Sequence, residues 1–211
     1  MKALLNQPFL CSFSGGKDSS LALYHALQAG GIAKALFTML VEDGARSRSH
    51  ALAPQVLAAQ AASLNIPLHT ANASWPDYES VFIDAIKGFR EQGICAGVFG
   101  DIDVDRNRLW VEKVCAAGDV EAFEPLWQRA RQELLDEFIA LGFKATIIAI
   151  KTDLLDQSFL GRTLDTQVVA DLEAAGIDPS GEMGEYHTVV TAGPIFSRPV
   201  ALETCTTVDG G

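Results

Sequence analysis

Seven consecutive residues, Ser14-Gly15-Gly16-Lys17-Asp18-Ser19-Ser20, gather the groups that could hold an anion. Paired glycines let a backbone approach a ligand closely. If a helix starts here, its first N–H groups point outward and its dipole favours negative charge. Ser14, Ser19 and Ser20 add hydroxyls, and Lys17 adds a point charge. The chemistry implied is phosphate binding. Two common phosphate loops do not fit the spacing. A G-x-x-x-x-G-K-[ST] loop would need glycine at Cys11 and Ser or Thr at Asp18. A G-x-G-x-x-G loop would need a further glycine three residues on.

Acidic groups form the second set. Asp101 and Asp103 follow an apolar run and suit a site, although Asp103 or Asp105 suits a helix cap equally well. Glu182 and Glu185 lie in a glycine-rich stretch, where a carboxylate of raised pKa could act as a general base. Read alone, that stretch is equally a solvated acidic turn. Glu124 opens Glu124-Pro125-Leu126-Trp127, which is either a wall of a cleft or a rigid packed corner. Arg46, Arg48 and His50 share one polar loop, which either closes over phosphates or is simply solvated. His25 and His69 sit at ordinary helix and strand positions. Cys11, Cys95, Cys115 and Cys205 match no zinc or redox spacing and read as reduced, packed thiols.

The elements that must position these groups alternate. Apolar runs at 9–13, 35–41, 68–73 and 94–100 read as buried strands. Helical patterns at 17–29, 54–64, from Ser74 as N-cap, and through Trp110 to Ala117 separate them. The stripe Tyr78, Val81, Phe82, Ala85, Ile86 and Phe89 reads as core. This alternation predicts an α/β fold, a doubly wound parallel sheet with helices on both faces. Ligands in such sheets sit beyond the carboxyl ends of the strands. The loops at 14–20, 42–50 and 100–105 are therefore the ones to watch. The second half predicts a helix over 128–141, a strand over 145–150, a helix over 164–175, and strands over 188–191 and 200–207. It reads as a smaller C-terminal α+β lobe, with the division drawn between 1–122 and 123–211.

The loop Ser14-Gly15-Gly16-Lys17-Asp18-Ser19 resembles that of the PP-loop ATP pyrophosphatases. Gly100-Asp101-Ile102, Glu124-Pro125-Leu126-Trp127, Leu160-Gly161 and Gly181-Glu182-Met183-Gly184-Glu185-Tyr186-His187-Thr188 follow in the order of one branch, the diphthine–ammonia ligase family. The resemblance covers nearly the whole chain. It implies a PP-loop nucleotide domain and a substrate-binding lobe. It implies ATP and Mg²⁺, with ATP split into AMP and pyrophosphate. Ser14, Gly15, Gly16, Lys17, Ser19 and Ser20 would then hold the nucleotide, with His50, Gly100 and Asp101 beside it. Asp18 would support the loop or hold Mg²⁺. Glu124, Trp127, Glu182, Glu185, Tyr186 and His187 would face the acceptor, with Asp18, Glu182 and Glu185 as catalytic groups. Ammonia would turn an adenylated carboxylate, diphthine on elongation factor 2 in that family, into an amide. Met183 replaces a glycine and His187 an acid of the family ending. His187 resembles the histidine of a sister group linked to corrinoid salvage, so the acceptor is either a protein-borne or a small-molecule carboxylate.

Composition narrows the alternatives. Hydrophobic residues make up 48% and charged residues 20% of 211, which is globular composition. The net charge of −11 is a poor match to a nucleic acid backbone and argues against sulfur transfer to tRNA. No run approaches the roughly 18–20 apolar residues of a membrane helix, and the N-terminal apolar run is too short for a signal peptide. The expectation is a cytoplasmic enzyme without nucleic acid or membrane partners, with a homodimer as its candidate assembly. An adenine-nucleotide-binding protein without turnover is the alternative.

Overall fold

The structure is a computed structural model that describes residues 4–202. Its centre is a run of buried apolar residues, Phe9-Leu10-Cys11, in β1 (Pro8–Ser12). Strands β2 (Ile32–Leu40), β3 (Leu68–Asn72), β4 (Ala96–Val98) and β5 (Glu121–Phe123) complete a five-stranded sheet in the order β3-β2-β1-β4-β5. Every pairing in it is parallel. Helices α1 (Lys17–Gln28), α2 (Pro54–Leu64), α3 (Tyr78–Glu91) and α4 (Asp105–Ala117) make the crossovers.

Side chains alternate between the two faces of a strand, and two cores result. Phe9, Cys11, Leu36 and Leu40 face α1 and α2, meeting Leu23 and Leu57. Leu10, Phe37 and Met39 face α3 and α4, meeting Phe82, Ile86, Val111 and Val114. The sheet is doubly wound, as the alternation predicts.

The C-terminal part adds α5 (Arg131–Ala140), β6 (Lys144–Ile150), α6 (Thr166–Ala174) and β7 (Tyr186–Ala192). β6 and β7 form a separate antiparallel pair. This α+β part shares the first core: Leu134, Phe138, Phe143, Ile147 and Val189 join the α1 side. β7 thereby reaches the loop that precedes α1.

Local departures from the sequence reading have plain causes. Ser74 Oγ donates to Asp77 Oδ2 at 2.6 Å, but the two close a turn and α3 starts only at Tyr78. α5 starts at Arg131 rather than Gln128, because Gln128 takes φ 58° and donates its N–H to the Ile102 carbonyl. β5 is too short to show a period, and it straddles the division drawn at 122/123. The strand expected over 200–207 lies largely outside the described residues, and 200–202 are not in a strand.

Candidate active site

The chain leaves β1 at Ser12, turns through Phe13 to Gly16, and enters α1 at Lys17. Four neighbours, Gln60, His50, Thr188 and Val190, fix that turn. Gly15 lies at φ +81°, where a Cβ would stand 2.5 Å from Gln60 Oε1. The Gly15 carbonyl accepts from Gln60 Nε2 at 2.8 Å and from the Val190 N–H at 2.9 Å. Gln60 Nε2 also donates to the Val190 carbonyl at 2.7 Å, so one buried amide ties the loop to β7. A Cβ on Gly16 would collide with His50 Cε1. The Lys17 N–H donates to Thr188 Oγ1 at 3.2 Å. Within the loop, the Gly16 N–H donates to Ser14 Oγ at 3.3 Å, and Ser14 Oγ lies 3.0 Å from Ser19 Oγ.

Gly100 closes the far side. A Cβ there would fall 2.9 Å from Asp18 C and 3.0 Å from both Asp18 O and Ser19 N, all backbone atoms of α1. Backbone cannot swing aside as a side chain can. Gly100→Ala is expected to cost about 1–3 kcal/mol of stability. Thermal denaturation checks this, and an unchanged midpoint would mean that β4 and α1 are not held this closely.

A cleft of about 350 Å³ opens at the carboxyl ends of β1, β2 and β4. One wall is apolar and aromatic, formed by Phe37, Met39, Tyr78 and Phe82. The lining also carries charged groups, Lys17, Asp18, Asp101 and Glu182. Lys17 Nζ donates to both Asp18 oxygens at 2.8 and 2.7 Å and lies 3.5 Å from Glu182 Oε1. Burial works against its charge, but Asp18, Tyr186 and Glu182 outweigh that and push its pKa up. Burial and the charge of Asp18 push Glu182 up to about 7, against the pull of Lys17 and Arg131. Burial also raises Asp101, with Asp18 adding to it while a hydrogen bond to Asn107 opposes.

His50 and His187 stack with ring centroids 4.7 Å apart. Burial, then His187 and Lys17, lower His50 to about 3, against the hydrogen bond to Thr188. The ring is therefore neutral. It donates from Nδ1 to the Thr188 carbonyl at 3.0 Å, leaving Nε2 as an acceptor.

Ser14, Lys17, Asp18, Ser19, His50, Gly100, Asp101, Glu182, Tyr186 and His187 all line this cleft. Gly15 and Gly16 support it from behind. Ser20 is wholly buried and does not line it, and among the described residues its Oγ has no hydrogen-bond partner. Glu185 is buried and turned into its own loop, where Oε2 accepts from the Met183 N–H at 3.0 Å. It stiffens the turn that presents Glu182. Glu124 and Trp127 lie off the cleft. Arg108 covers the Trp127 ring at 4.8 Å. Burial and Asp101 push Glu124 up to about 7, against Arg108. Arg48 is occupied over Trp75 and on the Ala73 carbonyl, so of the basic loop it is His50 that reaches the cleft.

Several lining residues escape the sequence reading. Tyr78 and Phe82 belong to the stripe read as core, yet they also form the aromatic wall. Thr38 is a lone hydroxyl in an apolar strand, which was the only available signal; its Oγ1 donates to the Phe13 carbonyl at 2.5 Å. Asn107 carries no local signal.

Mg²⁺ is usually held by one or two carboxylates together with phosphate oxygens and water. Asp18 and Asp101 line one cleft and feel each other's charge, which fits that donor set. Among the described residues, no group of three or more His, Cys, Asp or Glu is placed to hold a metal unaided. No helix among the described residues is long and apolar enough to cross a membrane.

A parallel sheet wound on both faces, with a glycine turn under a charged cleft at its carboxyl edge, places this molecule in the doubly wound α/β class. Within that class the chain belongs to the diphthamide synthase family: its N-terminal domain model matches residues 9–121 and its C-terminal domain model residues 130–207. A diphthine–ammonia ligase of Rattus norvegicus is 33% identical over 126 residues, covering 57% of this chain and 47% of that protein. The match thus spans about half the length of that relative. A diphthine–ammonia ligase of Danio rerio is 27% identical over 222 residues, covering 92% and 86%. A solved structure described as a predicted subunit of a tRNA methyltransferase from Methanocaldococcus jannaschii is similar with TM-score 0.48 and 16% identity, covering 89% of this chain and 99% of that one.

Proposed function

We propose that the chain is an ATP-dependent ligase that adenylates a carboxylate and exchanges AMP for ammonia. One observation carries the reading: Lys17 of the glycine loop touches Asp18 on one side and Glu182 of the C-terminal part on the other. A phosphate site and a carboxylate suited to taking a proton share one cleft. The name of the relatives, diphthine–ammonia ligase, supports the same reaction class.

In this reading the purine of ATP lies against Phe37, Met39 and Tyr78, and its phosphates meet the α1 N-terminus. An acceptor carboxylate oxygen attacks the α-phosphorus, and pyrophosphate leaves. Charge develops on the departing pyrophosphate, where Lys17 and the amides of α1 stabilise it. Asp18 and Asp101 would hold Mg²⁺, which adds positive charge at the same oxygens. Ammonia then attacks the acyl carbon, AMP leaves, and Glu182 takes the proton. Glu185 positions Glu182 by holding its turn. The acceptor is a protein-borne or small-molecule carboxylate. Diphthine is the first to test, and a corrinoid carboxylate is the second.

Adenylation without ammonia is reversible. Labelled pyrophosphate is therefore expected to enter ATP when acceptor is present and ammonia is withheld. No exchange with an acceptor that is later amidated would contradict an acyl-adenylate step.

A pH profile follows from Glu182. The base must be ionised, and its pKa is raised to about 7. kcat/KM for amide formation is expected to rise through that pH and level off above it. Stability should move the other way. Between the ordinary 4.5 and about 7 the folded state holds a proton that the unfolded state has lost, so this group's contribution falls as pH rises. A profile flat from pH 5 to 8 would remove Glu182 as the base.

A further inference from the structure

We propose that Arg131 is a positioning residue for the reaction: its guanidinium joins the loop after β4 to the loop that carries Glu182, and so sets where that carboxylate stands beside the glycine turn. The inference rests on the ligase reading above. Arg131 opens α5. Its Nε and Nη2 donate to Asp103 Oδ2 and Oδ1 at 2.6 and 2.8 Å, a two-pronged pair that fixes the plane of the guanidinium. Its Nη1 donates to Asp178 Oδ2. Asp103 belongs to the same loop as Gly100 and Asp101 of the cleft, and Asp178 to the same loop as Glu182.

β4 and β7 belong to different sheets, so no strand ladder holds one loop to the other. Arg131 bridges them. From Asp178 the hold passes to Glu182 through a short, well-tied stretch. Asp178 Oδ1 accepts from the Ser180 N–H at 2.9 Å, and the Asp178 carbonyl accepts from the Gly181 N–H at 3.0 Å. Tyr186 Oη donates to the Pro179 carbonyl at 2.5 Å, and its ring lies so close under Gly181 that a Cβ there would come within 2.9 Å. On the other side of Glu182, the carboxylate of Glu185 holds the Met183 N–H. Glu182 is thus carried between two anchored ends, and Arg131 ties one of them to the sheet that bears the cleft.

Arg131 also acts on Glu182 by charge. Lys17 and Asp18 of α1, Arg131 of α5 and Tyr186 of β7 are the ionisable groups that interact with it. Burial and Asp18 raise the Glu182 pKa, and Lys17 and Arg131 draw it back. Removing the guanidinium therefore moves it further up. Lysine at 131 would keep the charge but could not make the two-pronged pair with Asp103 while also reaching Asp178. Two substitutions therefore separate placement from charge.

The test has one readout without turnover and one with it. Carbon-13 NMR of the side-chain carboxyls follows the Glu182 titration in the protein alone, its signal assigned by its loss in Glu182→Gln. Arg131→Met is expected to raise that midpoint by about one pH unit, the lower end of what a neighbouring charge does. The kcat/KM profile for amide formation should move up with it. Arg131→Lys should leave the midpoint near its parent value. At a pH above the midpoint it should still lower kcat about tenfold to a hundredfold, the scale of a misplaced catalytic group, with KM for ATP unchanged. An arginine that served the fold alone would lower the melting temperature on substitution and leave kcat of the folded protein as it was. The Arg131 side chain is 29% exposed, so lysine fits there, and Arg131→Lys decides the matter should Arg131→Met not fold. An unshifted titration in folded Arg131→Met, or a parental kcat in Arg131→Lys, overturns the proposal. If the titration shifts but no acceptor is ever amidated, the ligase reading fails and the hold of Arg131 on Glu182 stands.

Discussion

Glu182→Gln is expected to leave ATP binding unaltered and to slow amide formation by about 10²–10⁴-fold, the usual share of a positioned general base. The substitution keeps the shape of the side chain and an oxygen to accept from Lys17, so the turn from Gly181 to Gly184 should persist. What it removes is the group that takes up the proton. Glu182 lines the cleft, lies 3.5 Å from Lys17 Nζ, and has its pKa raised by burial and by Asp18. Calorimetric titration with ATP and single-turnover product analysis separate the two effects. If ATP binding is lost while the chemistry of bound ATP is unaffected, the residue belongs to the nucleotide site instead.

Lys17→Met should reduce pyrophosphate exchange by about 10²–10³-fold, the scale of removing one preorganised charge partner from a leaving group. Lys17 is 8% exposed, and its ammonium is held by three contacts to carboxylate oxygens. Without it, Asp18, Asp101 and Glu182 lose the cation that lines the cleft beside them, and the phosphate chain keeps only the α1 amides and Mg²⁺ to offset their charge. The methionine stem retains the packing, so the circular dichroism spectrum should be unchanged. Exchange at the parent rate would show that Lys17 serves the fold alone.

The sequence makes the phosphate loop and the parallel sheet readable because both depend on local order. Phe9-Leu10-Cys11 must be a buried strand, and Gly15-Gly16 must turn. The alternation of apolar runs and helical stripes then leaves few topologies. Features of the site set by distant partners are not readable this way. The Lys17 N–H meets Thr188 across 171 positions, and Gln60 reaches Val190 across 130. Nothing near either residue announces the contact. Tyr78 illustrates a second limit: helical periodicity identifies an inward face but does not show that part of that face borders a cleft. Glu182 and Glu185 illustrate a third. They are alike in type and three positions apart, yet the backbone directs one into the cleft and the other onto the Met183 amide. β5, three residues long, gives no periodic signal, and it was the sheet order that revealed it.

The central claim is that one cleft couples α–β cleavage of ATP to amide formation. The most direct measurement is mass spectrometry of a reaction containing the chain, Mg-ATP, nitrogen-15 ammonium and diphthine-bearing elongation factor 2, with a parallel reaction on corrinoid carboxylates. The account predicts AMP and pyrophosphate in equal amounts, with an acceptor whose carboxyl oxygen has been replaced by labelled nitrogen. ADP and phosphate, or ATP held tightly and never turned over with either acceptor, would contradict it.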